Sequence, residues 1–258
     1  MAFAPCFSDN RRMTPRFFCP FPLSAGATVQ LSVETAHHAV NVLKVGAGDT
    51  AILFDGQGGQ WRATLAIYGK PPKAALMATL DAFDAKDNES PLAVTLVQCL
   101  PAGDKMDWVV QKAVELGVTR IQPVIARRSV VKLSGERAER RVAHWRSIAI
   151  AACEQSGRNR VPDVAPILEL PRYLSQSVEQ PTLRLICAPG ATTGLREMAK
   201  PAQSVTLFIG PESGFDEGEL LAASSAGFQP IRLGPRVLRT ETAGLAALAA
   251  IMALWGDL

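Results

Sequence analysis

Residue types that mark specialised chemistry are scarce in this sequence of 258 residues. Its five cysteines form no CxxC pair, and its three histidines lie at no metal-ligand spacing from them. We therefore expect reduced cytosolic thiols and no bound metal. GxSxG and HExxH motifs are absent, which argues against serine hydrolases and zinc hydrolases.

The sequence also lacks the usual signatures of nucleotide-binding and membrane proteins. No GxxxxGKS or GxxxxGKT motif occurs, and no GxGxxG follows an expected strand. The longest apolar run, residues 243–255, is too short to cross a bilayer of about 30 Å. Residues 1–13 have no apolar block of the kind found in a secretory signal. These absences predict a cytoplasmic protein without a membrane partner.

Positive charge is concentrated in one part of the chain. The formal net charge is +3, but residues 1–91 carry eight basic residues against eight acidic ones. Residues 120–146 carry eight basic residues against two acidic ones. Because clustered positive charge attracts polyanions, this segment is a candidate surface for RNA. A solvated basic helix face is the alternative interpretation.

The hydrophobic pattern predicts two domains. Residues 14–82 contain short β-rich runs, and a polar linker follows at 83–91. Residues 92–258 alternate strands with helices, which predicts a parallel sheet covered on both faces. Residues 1–13 form an N-terminal extension. The clearest elements are strands at 28–33, 50–54, 61–68, 92–100, 121–125 and 205–209, with helices at 34–44, 105–116 and 136–156.

Two Gly-Pro loops are the clearest candidates for a ligand site. Each follows an apolar run of strand length, 205–209 in one case and 230–233 in the other, and precedes a helix. Open parallel sheets bind ligands at the edge where their strands end. Glycine lets a backbone approach a ligand closely, and proline stiffens the loop. The alternative is that Gly-Pro merely ends these strands.

Motifs spread over nearly the whole chain resemble those of one family. The two loops read FIGPESGFD at 208–216 and LGPRVLRTETAG at 233–244. The further matching motifs are RFF at 16–18, HH at 37–38, VLK at 42–44, DG at 55–56, KMD at 105–107, QK at 111–112, ELGV at 115–118, RSVVK at 128–132 and EQSGR at 154–158. Taken in this order, they resemble the RsmE family of SPOUT methyltransferases, which act on small-subunit ribosomal RNA.

The resemblance implies an α+β protein with an N-terminal PUA-like β-barrel and a C-terminal α/β SPOUT domain containing a trefoil knot. It also implies S-adenosyl-L-methionine as cofactor, a homodimer, and methylation of uridine N3 in 16S ribosomal RNA, within the small ribosomal subunit. Two alternatives stay open. One is a SPOUT methyltransferase acting on another RNA position, such as a ribose 2′-hydroxyl, and the other is a non-catalytic RNA-binding assembly factor.

The expected site residues follow from the matched motifs and from their chemistry. Cofactor-binding candidates lie in the two loops and are Ile209, Gly210, Pro211, Glu212, Gly214, Leu233, Gly234, Val237, Leu238, Thr240 and Thr242. Arg239 is the catalytic candidate, because a guanidinium can donate two parallel hydrogen bonds to a uracil anion; the alternatives are an ion pair with Glu241 or a cap at a helix end. Glu212 is the candidate base or, alternatively, an anchor for backbone N–H groups. RNA-binding candidates are Arg16, His37, His38, Lys44, Arg128 and Arg236.

Two departures from the family pattern concern the expected site. Ser213 stands where the pattern has glycine, and if that position needs φ > 0, serine brings a strain of about 1 kcal/mol or more. The segment LRLICAPG at 183–190 lacks the glutamate expected after its strand, so its part in the site is open. Met106 and Trp108 are assigned to the core.

Overall fold

The computed structural model divides the chain into a first unit, Met1–Asp87, and a second unit, Asn88–Leu258. The residues that it describes are 14–69, 75–176, 182–201 and 203–258. The predicted extension at 1–13 lies outside them. Within the described residues, no helix combines the length and the apolar character needed to cross a membrane.

A five-stranded sheet forms the first unit, and its strands pair in the order β1-β3-β4-β5-β2. The strands are β1 Arg16–Phe18, β2 Thr28–Gln30, β3 Thr50–Phe54, β4 Gln60–Tyr68 and β5 Ala75–Asp84. β1 runs parallel to β3, and the other pairs are antiparallel. Alternate residues of β4 and β5, such as Leu65 and Leu80, face one hydrophobic core, because side chains alternate along a strand.

The helix of the first unit begins one residue after Ser32. The Ser32 hydroxyl accepts the backbone N–H of Thr35 at 3.1 Å and caps helix α1, Val33–His37. A π-helical turn, His38–Val42, continues it. The predicted helix at 34–44 is therefore present in two parts. The predicted strand at 28–33 is too long, because Ser32 caps a helix instead of extending β2.

The predicted linker at 83–91 begins too early. β5 continues to Asp84, and the ring of Phe83 packs against that of Trp61 with 5.1 Å between centroids. Because most of the residues that follow Phe83 are polar, the sequence pattern does not show that the strand extends to Asp84. The boundary between the units falls between Asp87 and Asn88, inside the polar segment.

The second unit is a parallel sheet, as predicted, with helices α2 to α6 in the connections between its strands and at its C-terminal end. Its strands are β6 Ala93–Cys99, β7 Arg120–Ile125, β8 Asp163–Val164, β9 Leu168–Glu169, β10 Leu183–Cys187, β11 Ser204–Ile209 and β12 Gln229–Ile231. Its helices are α2 Lys105–Glu115, α3 Gly135–Ser156, α4 Leu170–Leu174, α5 Glu217–Ser225 and α6 Thr240–Trp255. The strand order is β12-β10-β11-β6-β7-β8, β9 pairs with β7, and every pairing is parallel.

Helix α2 shows how the sequence pattern decides burial. Met106 and Val110 are buried, and Gly117 follows the helix with φ of 84°, as a C-terminal glycine does. The assignment of Trp108 to the core is wrong, because its side chain is 47% exposed. It lies two residues from both Met106 and Val110 and therefore projects from the opposite face of the helix.

One of the family-like motifs, EQSGR at 154–158, has a structural role. Arg158 is 4% exposed, and its Nη1 donates to the carbonyl oxygens of Val114 at 2.9 Å and Val118 at 2.8 Å. Its guanidinium also pairs with Glu89, which the sequence pattern placed in the linker. Because a buried guanidinium needs several acceptors, this arginine fastens the start of the second unit to the end of α2.

Candidate functional site

Three loops meet at one edge of the sheet in the second unit. β10, β11 and β12 are neighbouring parallel strands, so the loops that follow them leave the sheet on the same side. We call these the β10 loop (188–191), the β11 loop (210–215) and the β12 loop (232–239). They border a cavity of about 980 Å³.

The cavity brings together nearly all the cofactor-binding candidates. Those that line it are Ile209, Gly210, Pro211, Glu212, Gly214, Leu233, Gly234, Val237, Leu238 and Thr240. Arg236 and Arg239 line it as well. Thr242 does not, because it is exposed on the first turn of α6.

The β11 loop is compact because its glycines permit close packing. A Cβ on Gly210 would lie 2.9 Å from the ring of Phe215, so only glycine leaves room for that ring. The Phe215 ring in turn contacts Phe208 at 4.8 Å between centroids. The N–H of Gly214 donates to the carbonyl of Pro211 at 2.9 Å, and Gly214 has φ of 69°.

Ser213 does not carry the backbone strain that a positive φ at this position would bring. Among the described residues, Lys44 is the only one other than glycine with positive φ. The left-handed residue of the β11 loop is thus Gly214, and Ser213 adopts a conformation that serine allows. Its carbonyl lies 3.5 Å from Nη1 of Arg128.

The end of the β11 loop is fastened by a capping box. Asp216 accepts the N–H of Glu219 at 2.8 Å, and Glu219 accepts the N–H of Asp216 at 2.9 Å, at the start of α5. The bond from the Glu219 N–H lowers the pKa of Asp216, and Arg127 lowers it further. Glu219 also accepts the N–H of Arg127 at 2.8 Å, so the loop is tied to the end of β7.

The β12 loop is held mainly through its backbone, and most of its side chains face solvent. The N–H of Arg232 donates to the carbonyl of Thr193 at 3.0 Å. Gly234 has φ of 92°, and a Cβ there would meet nothing within 4 Å. Val237 is 80% exposed, and Arg239 is exposed at the N-terminal end of α6, where its side chain makes no cap.

Thr240 joins the two Gly-Pro loops. It is the first residue of α6, it is buried, and its hydroxyl donates to the carbonyl of Gly210 at 2.5 Å. One hydrogen bond therefore connects the end of the β12 loop with the beginning of the β11 loop.

Two carboxylates and one ammonium group lie beside the cavity. Oε1 of Glu212 accepts the N–H of Ala102 at 2.8 Å and lies 3.8 Å from Nζ of Lys105. The same Nζ lies 3.3 Å from Oε1 of Glu241. Glu241 is thus paired with Lys105, and within the described residues no ion pair joins it to Arg239. The contacts of Glu212 match the anchoring role that was its alternative.

The β10 loop, whose part in the site was open from the sequence, lines the cavity through Ala188, Pro189, Gly190 and Ala191. A detectable signal existed, since Pro189 and Gly190 follow an apolar strand here, much as Gly-Pro follows one in each of the two predicted loops. Its neighbour Cys187 also lines the cavity, and burial raises the pKa of this thiol to about 12. Burial likewise raises the pKa of Cys99. Neither thiol is a nucleophile at neutral pH.

The RNA-binding candidates fall into two groups. Arg128 and Arg236 belong to the second unit, where Arg128 contacts the β11 loop and Arg236 lines the cavity. The others belong to the first unit. There His37, His38 and Lys44 are exposed.

Arg16 differs from the other candidates of the first unit. Its Nη1 donates to Oε1 of Gln60 at 2.6 Å, and its guanidinium lies 5.1 Å from the centre of the Phe54 ring. These contacts favour a structural role for Arg16. Its neighbour Phe17 is 2% exposed and belongs to the core.

Comparison with known families matches both units. Residues 88–252 match the RNA methyltransferase domain, and residues 31–70 match the RNA methyltransferase PUA domain. The ribosomal RNA small subunit methyltransferase E of Synechocystis sp. is 36% identical over 88% of this chain and 74% of its own length. The protein of the same name from Bacillus subtilis is 32% identical over 87% of this chain and 89% of its own length.

Solved structures agree with the sequence matches. A ribosomal RNA small subunit methyltransferase E from Neisseria gonorrhoeae, bound to S-adenosyl methionine, superposes with a TM-score of 0.87. It is 44% identical, and the match covers 95% of this chain and 99% of that one. A methyltransferase from Legionella pneumophila in complex with the cofactor SAM gives a TM-score of 0.88 at 35% identity, with the same coverage.

Proposed function

This chain belongs to the ribosomal RNA small subunit methyltransferase E family, and we propose that it transfers a methyl group from S-adenosylmethionine to N3 of a uridine in small-subunit ribosomal RNA. The observation that carries the proposal is the cavity bordered by the β10, β11 and β12 loops. It combines closely packed glycine loops with an exposed arginine in the part of an open sheet that binds ligands. The solved relatives contain the same cofactor.

The cavity fits S-adenosylmethionine in size and in lining. Its volume of about 980 Å³ suits a ligand of this size. Ile209, Leu233 and Leu238 offer apolar walls for a flat base, and the backbone of the β11 and β12 loops offers fixed hydrogen-bonding groups. When bound, the cofactor supplies an electrophilic methyl group on a sulfonium.

Arg239 is the catalytic residue in this proposal. Uridine N3 carries a proton at neutral pH, and its nucleophilic form is an anion whose charge spreads to the two flanking oxygens. The guanidinium of Arg239 is exposed, lines the cavity and, within the described residues, is in no ion pair, so it is available to stabilise that anion. Positioning and charge stabilisation supply the catalysis.

Glu212 anchors the β11 loop in this proposal instead of acting as a base. Its Oε1 is already engaged by the N–H of Ala102 and lies near the ammonium of Lys105. Because this oxygen already accepts a backbone N–H, we assign Glu212 to holding the loop in place. The N3 proton therefore leaves to solvent at the exposed face beside Arg239.

Two surfaces are proposed to contact the ribosomal RNA. In the second unit, Arg128 and Arg236 lie against or beside the cavity and suit phosphate groups. In the first unit, His37, His38 and Lys44 are exposed on or directly after the helical segment, and they suit the same partner. The match of this unit to a PUA domain of RNA methyltransferases supports that role.

The architecture expected of the family completes the proposal. We infer a closed barrel in the first unit, a trefoil knot around the three loops, a homodimer, and action on the small ribosomal subunit in the cytoplasm. The exposed Trp108 supports the dimer, because a large aromatic side chain at a helix surface is typical of interfaces. Light scattering of wild type and Trp108→Glu tests this point, with a monomeric wild type as the contradicting result.

The reaction itself is tested with subunits purified from a strain that lacks the enzyme. The protein, labelled S-adenosylmethionine and these subunits are incubated together, and nucleoside mass analysis then identifies the methylated atom. We expect 3-methyluridine. A ribose 2′-O-methyl product would refute the N3 assignment, and failure of the wild type to bind the cofactor at millimolar concentration would favour a non-catalytic assembly factor.

A further inference from the structure

Gln98 is a fully buried amide in a central strand next to the cavity. It lies in β6, which pairs with β11 on one side and β7 on the other, and its exposure is 0%. An uncompensated amide in such a place destabilises a fold, and an apolar residue would pack there at lower cost. Its contacts therefore suggest a role other than filling the core.

The orientation of the Gln98 amide follows from its neighbours. Nε2 donates to the carbonyl of Cys99 at 3.0 Å and to Oγ1 of Thr240 at 2.9 Å. A flipped amide would place Oε1 against the Cys99 carbonyl, and two acceptors repel. The amide nitrogen thus has to face Thr240, and within the described residues Oε1 has no hydrogen-bond partner.

This orientation fixes the Thr240 hydroxyl. A threonine hydroxyl has one hydrogen and rotates to suit its neighbours. Because Gln98 donates to Oγ1, the hydroxyl hydrogen is directed to the carbonyl of Gly210, 2.5 Å away. That carbonyl belongs to the peptide group that begins the β11 loop. The chain from Gln98 through Thr240 to Gly210 consequently connects β6 with the ends of both Gly-Pro loops.

Gly244 preserves the space for this arrangement. A Cβ at position 244 would lie 2.9 Å from Oε1 of Gln98, which is too close for undisturbed packing. Glycine in a helix interior costs about 1 kcal/mol relative to alanine. Both the unpartnered oxygen and the helical glycine are unfavourable for stability alone, so both are better explained by function.

We propose that Gln98 is a positioning residue for the cofactor: through the hydroxyl of Thr240 it holds the Gly210 carbonyl, and with it the β11 loop, in the conformation that binds S-adenosylmethionine. The inference rests on the proposed function, because it names a residue that acts on that same site. Gln98 itself does not line the cavity; its effect passes through Thr240.

The test is a double-mutant cycle with cofactor affinity measured by calorimetry. Gln98→Met keeps the side-chain volume and removes the amide, and we expect a Kd about threefold to tenfold weaker, as for the loss of one hydrogen bond. Thr240→Val removes the hydroxyl and should weaken binding similarly or more. In the Thr240→Val background, Gln98→Met should change Kd by less than about twofold, because its effect passes through the missing hydroxyl.

Gln122 provides a matched control. It is also a buried glutamine in a parallel strand, 3% exposed, and its Nε2 donates to the next carbonyl, that of Pro123, at 2.9 Å. It does not line the cavity. Gln122→Met should therefore leave Kd within about twofold, even if it lowers Tm more than Gln98→Met does. Thr240→Ser keeps the hydroxyl and should restore binding.

Several outcomes separate the inference from the function on which it rests. Wild-type protein that fails to bind S-adenosylmethionine overturns both. Two results would overturn only the inference, provided that the wild type binds tightly. One is an unchanged Kd in Gln98→Met, and the other is full additivity of the two substitutions' effects on the binding free energy. If Gln98→Met does not fold, Gly244→Ala crowds the same amide from α6, and its unchanged affinity would contradict the inference equally.

Discussion

The β11 and β12 loops both contain Gly-Pro but are held in different ways. The β11 loop is fixed by side chains: Glu212 binds Ala102, and the ring of Phe215 packs over Gly210. The β12 loop exposes its side chains, with Val237 80% exposed. Side chains of the first loop are thus held by contacts within the unit, whereas those of the second are exposed, as the proposed contact with RNA requires. In the proposed function both loops border the cofactor, and the exposed Arg239 of the β12 loop acts on the uridine.

The largest effect is expected from Arg239→Ala in the exposed loop. Removing a donor that stabilises a developing anion lowers kcat by roughly 10²-fold to 10³-fold. The Kd for S-adenosylmethionine should stay within several-fold, because the guanidinium acts on the uridine. Single-turnover methylation of subunits and calorimetry measure the two quantities.

Two controls accompany Arg239→Ala. Arg239→Lys keeps the charge but loses the paired donors, so it should recover only part of the rate. Arg140→Ala removes an exposed arginine that pairs with Glu136 on α3, and it should leave kcat unchanged. Full activity in Arg239→Ala would remove the catalytic role from the β12 loop.

The next effect concerns the two left-handed glycines. Gly214 in the β11 loop and Gly234 in the β12 loop both have positive φ, and a Cβ at either would meet open space. Alanine therefore brings only backbone strain, about 1–2 kcal/mol at each position. The anchored β11 loop cannot relax, so Gly214→Ala should mainly lower Tm. The β12 loop can relax, so Gly234→Ala should weaken the cofactor Kd by about fivefold to thirtyfold.

Gly190 is the control for these substitutions. It lines the same cavity, a Cβ there would also meet open space, and its φ is not in the left-handed region. Gly190→Ala should leave both Tm and Kd nearly unchanged. Gly214→Ala and Gly234→Ala could instead change Tm by the same amount and the cofactor Kd by the same factor. The two loops would then not differ in their freedom to relax.

A smaller effect is expected from Arg128→Gln, beside the β11 loop. Loss of one phosphate contact should raise KM for subunits a few-fold at physiological salt and reduce the salt dependence of binding by about one ion. The cofactor Kd should not change, since the contact of Arg128 with the β11 loop is a long one, 3.5 Å to the Ser213 carbonyl. A salt dependence equal to that of the wild type would argue against a phosphate contact.

Helices and strands of the second unit could be predicted from the sequence, because apolar residues recur in them at helical or strand spacing. Helix α2 and strand β11 have periodic apolar patterns, and their observed bounds agree with the prediction within a residue or two. The end of β5 was missed because Phe83 is 54% exposed and its ring contact is with Trp61, more than twenty residues away in the sequence. Trp108 was misplaced because residue type was given more weight than helical position.

The site was predictable only in part for a related reason. Gly-Pro loops after apolar strands indicate where a ligand binds, and those two loops do line the cavity. Whether a side chain anchors a loop or is available for catalysis depends on contacts between distant segments, such as Glu212 with Ala102 and Glu241 with Lys105. No local pattern encodes such pairs. The role of the β10 loop stayed open at the sequence level, because the glutamate expected after its strand is absent.

The smallest effect is expected from Ser213→Gly, which restores the residue of the family pattern. Serine is not strained here, because the left-handed conformation of the loop belongs to Gly214. Glycine adds freedom to the unfolded chain and should cost about 0.4–1 kcal/mol of stability without tightening the cofactor Kd beyond about twofold. Thermal unfolding and calorimetry check both. A tenfold tighter Kd would mean that the β11 loop rearranges when the cofactor binds. The β11 loop would then be as free to change conformation as the β12 loop.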